Sequence, residues 1–245
     1  LHDALPISTV EEIVAEVCRL LARKRDLAGL RVLVTAGPTR ERIDPVRYLT
    51  NDSSGKMGYA LAQAAQERGA EVVLVSGPVA LPAPAGVARV SIQSTAELYE
   101  AVLSRCEAAD VLIQAAAPAD YRPEHPSDRK LKKRDGAPLT LALVENPDVA
   151  QAVGACKRPG QTLVGFAAET HDLLANARAK LAKKNLDLIV ANDVTQPGAG
   201  FGVDTNIVTL LTAQRDIPCP LMSKAEVADR VLDEVLALRA EARRG

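Results

Sequence analysis

The chain is poor in aromatic residues: four tyrosines, two phenylalanines and no tryptophan among 245 residues. So small a set builds no base-stacking surface for single-stranded nucleic acid, and the core has to come from Ala, Val, Leu and Ile. Cysteine is scarce as well. Cys18, Cys106, Cys156 and Cys219 lie far apart with no CxxC pair, which is the pattern of reduced thiols in a cytoplasmic protein rather than of a disulfide framework. Histidine is limited to His2, His125 and His171, so a zinc site has no ligand set. No apolar run approaches the ~20 residues of a membrane-spanning helix, and no signal peptide is evident. A net charge of −1 gives no global field for nucleic acid or an anionic membrane.

What is present is enough chain to bury about three-quarters of its unfolded surface without a disulfide or a metal. An amphipathic helix is expected over Glu11–Arg25, with Ile13, Val14, Val17, Leu20 and Leu21 on one side. Residues 1–29 are therefore expected to form an amino-terminal helix and linker, and 30–245 one nucleotide-binding domain. The opening LHDALPIS has no periodicity.

From residue 31, apolar runs alternate with helical periods. Strands are expected at 31–37, 71–77, 110–117, 139–144, 162–169, 186–193 and 206–212. Helices are expected from Gly55 to Gly69, from a capping box at Ser94–Glu97 to about Ala108, from Asn146 (cap) and Pro147 (first turn), from about Thr170 to Lys184, and from a second capping box at Ser223–Glu226 to about Arg243. No internal repeat is seen. Near-continuous apolar strands alternating with helices predict an α/β, Rossmann-like three-layer sandwich around a mostly parallel central sheet. Ligands of such sheets bind at the carboxyl ends of the strands. The polar residues gather there: the loop after Val34, Asp120, Glu169 and Asn192-Asp193. Pro118–Pro138 breaks the pattern with four prolines and the basic run RKLKKR, and predicts a long flap loop.

The richest segment is Thr35–Gly58, TAGPTRERIDPVRYLTNDSSGKMG. Glycines, serines, Asn51 and four cations (Arg40, Arg42, Arg47, Lys56) between a strand and a helix suit a phosphorylated ligand. It is not a Walker A loop, because Met57 follows Gly55-Lys56 and position 50 is Thr. It is not a dinucleotide fingerprint either: the turn reads GPT, and the second strand ends Val75-Ser76-Gly77 with no carboxylate for a ribose. No tyrosine has Lys four positions on. An NAD(P)-dependent oxidoreductase on the same fold is the alternative reading, and these absences count against it.

The segments TAGPTRERIDPVRYLTNDSSGKMG, LVSGP (74–78), AAAPADYR (115–122), KLKK (130–133), NPD (146–148), GFAAET (165–170) and KNLDLIVAND (184–193) occur in that order. Together they resemble the phosphopantothenate–cysteine ligase family of coenzyme A biosynthesis over about residues 30 to 240. Its bacterial form is usually fused to a flavin-dependent decarboxylase half. The resemblance implies CTP-dependent ligation of 4′-phosphopantothenate with cysteine through an acyl-cytidylate, with Mg²⁺, and a homodimer, for which Asn206–Leu221 is a candidate contact.

The same resemblance assigns the site. Asn51, Arg47 and Lys130 are the implied catalytic residues: Asn51 for the acyl-cytidylate, Arg47 for the second step and Lys130 for the phosphates from a mobile flap. The implied nucleotide contacts are Gln114, Ala115, Ala116, Asp120, Lys130, Pro147, Asp148, Val149, Ala150, Phe166, Lys180 and Lys184. Each has a plainer reading. Asn51 alone would be an Asx-turn, Arg47 a partner for Asp44, RKLKKR a solvated charge run, Asp120 a turn residue and Phe166 core. Lys180 and Lys184 stand at i, i+4 on one helix face, where helix-end lysines are common. No residue reads as a general base, and no metal ligands are assigned.

Overall fold

A computed structural model describes Thr9, Val10, Val14 and residues 24–133, 136, 138–169, 172–193 and 196–244. The helix expected over Glu11–Arg25 falls largely outside these residues. In chain order the elements are β1 (Arg31–Ala36), β2 (Arg40–Arg42), β3 (Tyr48–Thr50), α1 (Lys56–Glu67), β4 (Glu71–Ser76), β5 (Ala88–Ser91), α2 (Thr95–Cys106) and β6 (Val111–Gln114). There follow β7 (Tyr121–Pro123), β8 (Leu143–Glu145), α3 (Val149–Ala155), β9 (Thr162–Glu169), α4 (Leu173–Lys183), β10 (Leu188–Asp193), β11 (Thr205–Leu211), β12 (Asp216–Ser223) and α5 (Lys224–Ala242).

Eight strands form the central sheet in the order β12-β11-β10-β9-β6-β1-β4-β5. From β5 to β10 every neighbouring pair is parallel; β11 and β12 turn antiparallel. This is the expected Rossmann-like sandwich. Along β1, alternate side chains serve opposite faces. Val32 and Val34 meet α1 and α5 through Leu61, Ala65, Val231 and Val235. Leu33 faces the other layer, where α2, α3 and α4 bring Leu98, Val102, Val153 and Ala177. Covering both faces is what lets these strands be apolar throughout.

The chain winds outward from β1 in both directions, to β4-β5 on one side and to β6-β9-β10 on the other. Loops leaving β1 and β6 therefore diverge and open a crevice at their carboxyl ends. A buried polar clasp spans it. Thr39 Oγ1 lies 2.9 Å from Thr95 Oγ1 and receives the Ala119 N–H at 2.9 Å, while Glu41 accepts the Thr95 N–H and hydroxyl at 2.8 Å each.

Several elements differ from expectation. The strand expected at 139–144 is the short β8 instead, paired antiparallel with β7 outside the main sheet. Leucines 139, 141 and 143 are exposed and only Leu143 lies in the ribbon, so their alternation does not mark a core strand. The hairpin β2–β3 and the edge strands β5 and β12 were not expected. β5 is short and mixed in polarity, and β12 carries Pro218 and Pro220, which an edge strand tolerates. The helix after Asn146 starts later than expected: Asp148 is the cap and takes the Gln151 N–H at 3.0 Å. Ser223–Glu226 is a complete capping box. At Ser94 the box is split, because Glu97 receives the Gln93 N–H at 2.8 Å rather than that of Ser94.

Candidate active site

Two cavities adjoin at the carboxyl edge of the sheet. The first, of about 450 Å³, lies between β6, β9, α3 and α4. Gln114, Ala116, Asp120, Pro147, Asp148, Val149, Ala150, Phe166, Lys180 and Lys184 all line it. Asn146 holds its rim. The Asn146 N–H donates to Asp120 O at 2.8 Å, and Asn146 Nδ2 donates to Ala119 O at 2.9 Å. The loop bearing Asp120 is thus fixed to the start of α3. Gln114 Nε2 is buried in the wall and has no protein partner; a buried donor left so is costly unless a ligand accepts from it.

Lys184 spans the cavity to Asp148 at 3.0 Å. Burial pushes the Asp148 carboxyl up, but the Gln151 N–H and Lys184 outweigh it and hold it below its ordinary value. Because Asp148 already caps α3, the lining cations Lys180 and Lys184, rather than an open helix end, are the groups there that suit an anion.

The second cavity, of about 510 Å³, shares Ala116, Pro118, Asp120, Phe166 and Lys180 with the first. Asn51, residues 53–58 and Ala115 line it. Asn51 Nδ2 donates to Pro118 O at 2.9 Å, which sets the amide beside the shared wall. Gly55 caps α1 in the left-handed region, φ 76°, with no side-chain cap; Lys56, Met57 and Gly58 of the first turn line the cavity, and the Lys56 N–H meets Ser54 Oγ at 3.4 Å. Gly58 lets α1 press onto β1: a Cβ there would meet Ala36 Cβ at 2.5 Å and Thr35 O at 2.9 Å.

Three more polar side chains line this cavity: Asn192, which the sequence had placed at the carboxyl edge of the sheet, and Lys224 and Asn206, which it had not. Asn192 Nδ2 donates to Ala199 O at 3.0 Å, and its Oδ1 is buried without a partner. Asn206 Oδ1 is buried and unpartnered too. Lys224 is only 6% exposed. Its Nζ donates to Gly200 O at 3.3 Å and to Val203 O. Burial first, and then Lys56, push its amine down, against Asp204. Lys56 in turn holds Asp204 at 2.7 Å and Gly202 O at 3.0 Å. In sequence Lys224 is an ordinary first helical residue after a capping box.

Arg47 and Lys130 line neither cavity. Arg47 pairs with Asp44, whose side chain is fully buried. Asp44 also accepts the N–H groups of Val46 and Arg47 at 2.8 Å and of Leu131 at 3.1 Å. Arg47 Nη2 donates to Leu131 O at 2.9 Å. The pair therefore grips both ends of Leu131, next to the exposed Lys130, and straps the flap to the β2–β3 turn. The Arg47 guanidinium, chiefly, holds the Asp44 carboxyl far below the usual range against the cost of burial, with help from the three N–H groups. Arg40 and Arg42 lie over the Tyr48 ring, 4.6 and 5.4 Å from its centroid. Of the four cations in this loop, Lys56 alone lines a cavity. Among the described residues no three His, Cys, Asp or Glu cluster as metal ligands.

Residues 27–238 match the DNA/pantothenate metabolism flavoprotein C-terminal domain. The chain belongs to that family. It is 53% identical over 216 residues to the Bacillus subtilis coenzyme A biosynthesis bifunctional protein CoaBC, covering 86% of this chain and 52% of that protein. It spans about half the length of the curated relatives it matches. Among solved structures, the C-terminal domain of a CoaBC protein is 41% identical with a TM-score of 0.76, covering 89% of this chain and all of that one. The Streptococcus pneumoniae DNA/pantothenate metabolism flavoprotein is 28% identical with a TM-score of 0.74, covering 85% of this chain and 99% of that one. In this flavoprotein C-terminal domain, Leu27, where the family match begins, is fully buried against the first helical layer.

Proposed function

We propose that this domain joins 4′-phosphopantothenate to cysteine at the expense of CTP, as in coenzyme A biosynthesis. The observation that carries this reading is the pair of cavities sharing one wall, Ala116, Pro118, Asp120, Phe166 and Lys180. A reaction that activates one phosphorylated molecule with another needs two seats whose reacting ends meet. The first cavity takes the nucleotide, with Lys180 and Lys184 on its phosphates and Gln114 Nε2 a donor for an acceptor on the base or sugar. The second takes phosphopantothenate. Lys56, Lys224 and the first turn of α1 meet its phosphate, and the Oδ1 atoms of Asn192 and Asn206 accept from its amide and hydroxyl groups.

At the shared wall the substrate carboxylate attacks the α-phosphate. Pyrophosphate leaves as the acyl-cytidylate forms. Asn51, at this wall, offers a donor and an acceptor to the phosphate and acyl oxygens. The cysteine amine then attacks the acyl carbon and CMP departs. Lys130 acts from the flap and Arg47 serves the second step. Mg²⁺ would be held chiefly by the nucleotide phosphates, since few protein carboxylates line the cavity. Asp120 and Glu145 are the lining carboxylates that would reach it, whereas Asp148 is committed to Lys184; the metal would supply charge neutralisation for the pyrophosphate leaving group.

The working unit is a cytoplasmic homodimer, with the domain over 30–245 fused to a flavin-dependent decarboxylase half, a reading supported by the bifunctional relatives of which this chain spans about half. Exposed Val46, Tyr48, Tyr121 and Leu143 on the neighbouring β2–β3 and β7–β8 ribbons favour a contact there, while Pro218 and Pro220 blunt β12 against strand pairing. A nicotinamide reading lacks support, since Ser76, where a ribose carboxylate would stand, is buried and bonded to the Tyr59 hydroxyl at 3.0 Å. Pyrophosphate release, with CTP and ATP compared side by side, tests the proposal. Release should require phosphopantothenate and favour CTP. Release that ignores phosphopantothenate would sink it.

A further inference from the structure

Cys106 ends the last turn of α2, and Cys156 caps the carboxyl end of α3. They are 50 positions apart in sequence, yet their sulfurs lie 3.7 Å from each other. That is van der Waals contact between two thiols. Cys106 is buried and Cys156 is exposed. Neither lines either cavity of the proposed active site, and the ligation uses neither sulfur. Among the described residues each thiol otherwise bonds only to a carbonyl of its own helix, Leu103 O at 3.2 Å and Val153 O at 3.4 Å. Cys219, by contrast, is buried in β12, where its thiol meets Ile217 O at 3.9 Å.

We propose that Cys106 and Cys156 are a dithiol that low-molecular-weight disulfides oxidise to an intramolecular disulfide. Exposure sets the order. The Cys156 thiolate attacks one sulfur of the small disulfide, forms a mixed disulfide and releases one thiolate. The Cys106 thiol then gives its proton to solvent, its thiolate attacks the Cys156 sulfur, and the second small thiolate leaves. Two protein thiols are oxidised, one small disulfide is reduced to two thiols, and the released thiolates take up the protons. Closing the pair to a bond of ~2.05 Å requires a movement of under about 2 Å, within reach of a side chain at an exposed helix end. Burial, and then the contact with Cys156, push the Cys106 thiol up. The closing step therefore speeds up as pH rises, because the thiolate is the attacking species. The link would pin to α2 the far end of the helix whose start, Asp148–Ala150, walls the first cavity.

The test uses the whole chain with oxidised glutathione, alkylation of the remaining thiols, trypsin and mass spectrometry. The expected product joins the peptides 106–129 and 135–157 at a mass two hydrogens below their sum, and dithiothreitol separates them. Cys106→Ser should instead hold a lasting glutathione adduct on Cys156, and Cys156→Ser should leave Cys106 unmodified. If Cys106→Ser does not fold, Cys106→Ala takes its place. A wild-type adduct that persists on Cys156 without closing overturns the proposal. So does free alkylation of both thiols after oxidation, or an adduct on Cys106 in Cys156→Ser.

Discussion

The two cavities are walls of the same crevice, yet they are made from different kinds of sequence. The first is lined by short runs directly after strands or at a helix start: Gln114–Asp120 after β6, Pro147–Ala150 at α3, and the i, i+4 pair Lys180 and Lys184 on α4. The second collects residues 51–58, Ala115–Ala117, Asn192, Asn206 and Lys224 from across the fold. In the first, residue types are unusual in their local setting. In the second, ordinary residues become unusual through burial, as with Lys224 at 6% exposure and the two unpartnered amide oxygens. Sites of the first kind show in a sequence, and sites of the second kind need the fold.

The largest effect should come where the cavities meet. Asn51→Ala should cut pyrophosphate release about 100- to 1,000-fold, the usual cost of one well-placed transition-state donor. Its melting temperature should be unchanged, because Asn51 is exposed and its amide makes one bond, to Pro118 O. A variant that keeps full activity would move the reaction away from the shared wall.

Within the second cavity, Lys224→Met should raise the KM for phosphopantothenate about 10- to 100-fold, the worth of a hydrogen bond to a charged group. Within the first, Lys184→Met should raise the KM for CTP by about tenfold or less, because Lys184 divides its charge between the ligand and Asp148.

Asp44→Asn tests the strap outside both cavities. Losing the carboxylate frees Arg47 and the Leu131 N–H, so protease cleavage within 124–142 should speed up, by roughly tenfold if the loop opens independently of the core. Unchanged cleavage would mean that the flap is held elsewhere.

The smallest effect is in acid. Asp44 and Asp148 both have carboxyls held below their ordinary value. Their stabilisation is complete above an unfolded value of ~3.9 and is lost as pH falls through the lowered folded values. Urea midpoints should therefore be insensitive to these two groups from pH 7 to about 5 and drop below about 4, with a shallower acid limb in Asp148→Asn.

Much of the fold was legible in the sequence because five of the six parallel strands are apolar enough to be recognised alone, as in Val32–Val34 and Leu188–Val190. What was missed is short or at an edge. β2, β3 and β5 have three or four residues each, and β12 hides behind its prolines. Leu139, Leu141 and Leu143 misled in the opposite direction, since alternation shows that one face is apolar but not that anything covers it. At the site, the residue types of Lys180, Lys184 and Asp120 were visible, whereas the grip of Asp44 and Arg47 on Leu131 joins segments more than eighty positions apart that no local pattern connects.

The most direct test of the two-seat account is to measure both KM values in Lys224→Met and Lys184→Met side by side. A crossed pattern is predicted, in which Lys224→Met weakens phosphopantothenate and spares CTP, and Lys184→Met does the reverse. If both substitutions raise the KM of the same substrate, the cavities do not hold different substrates and the account is wrong.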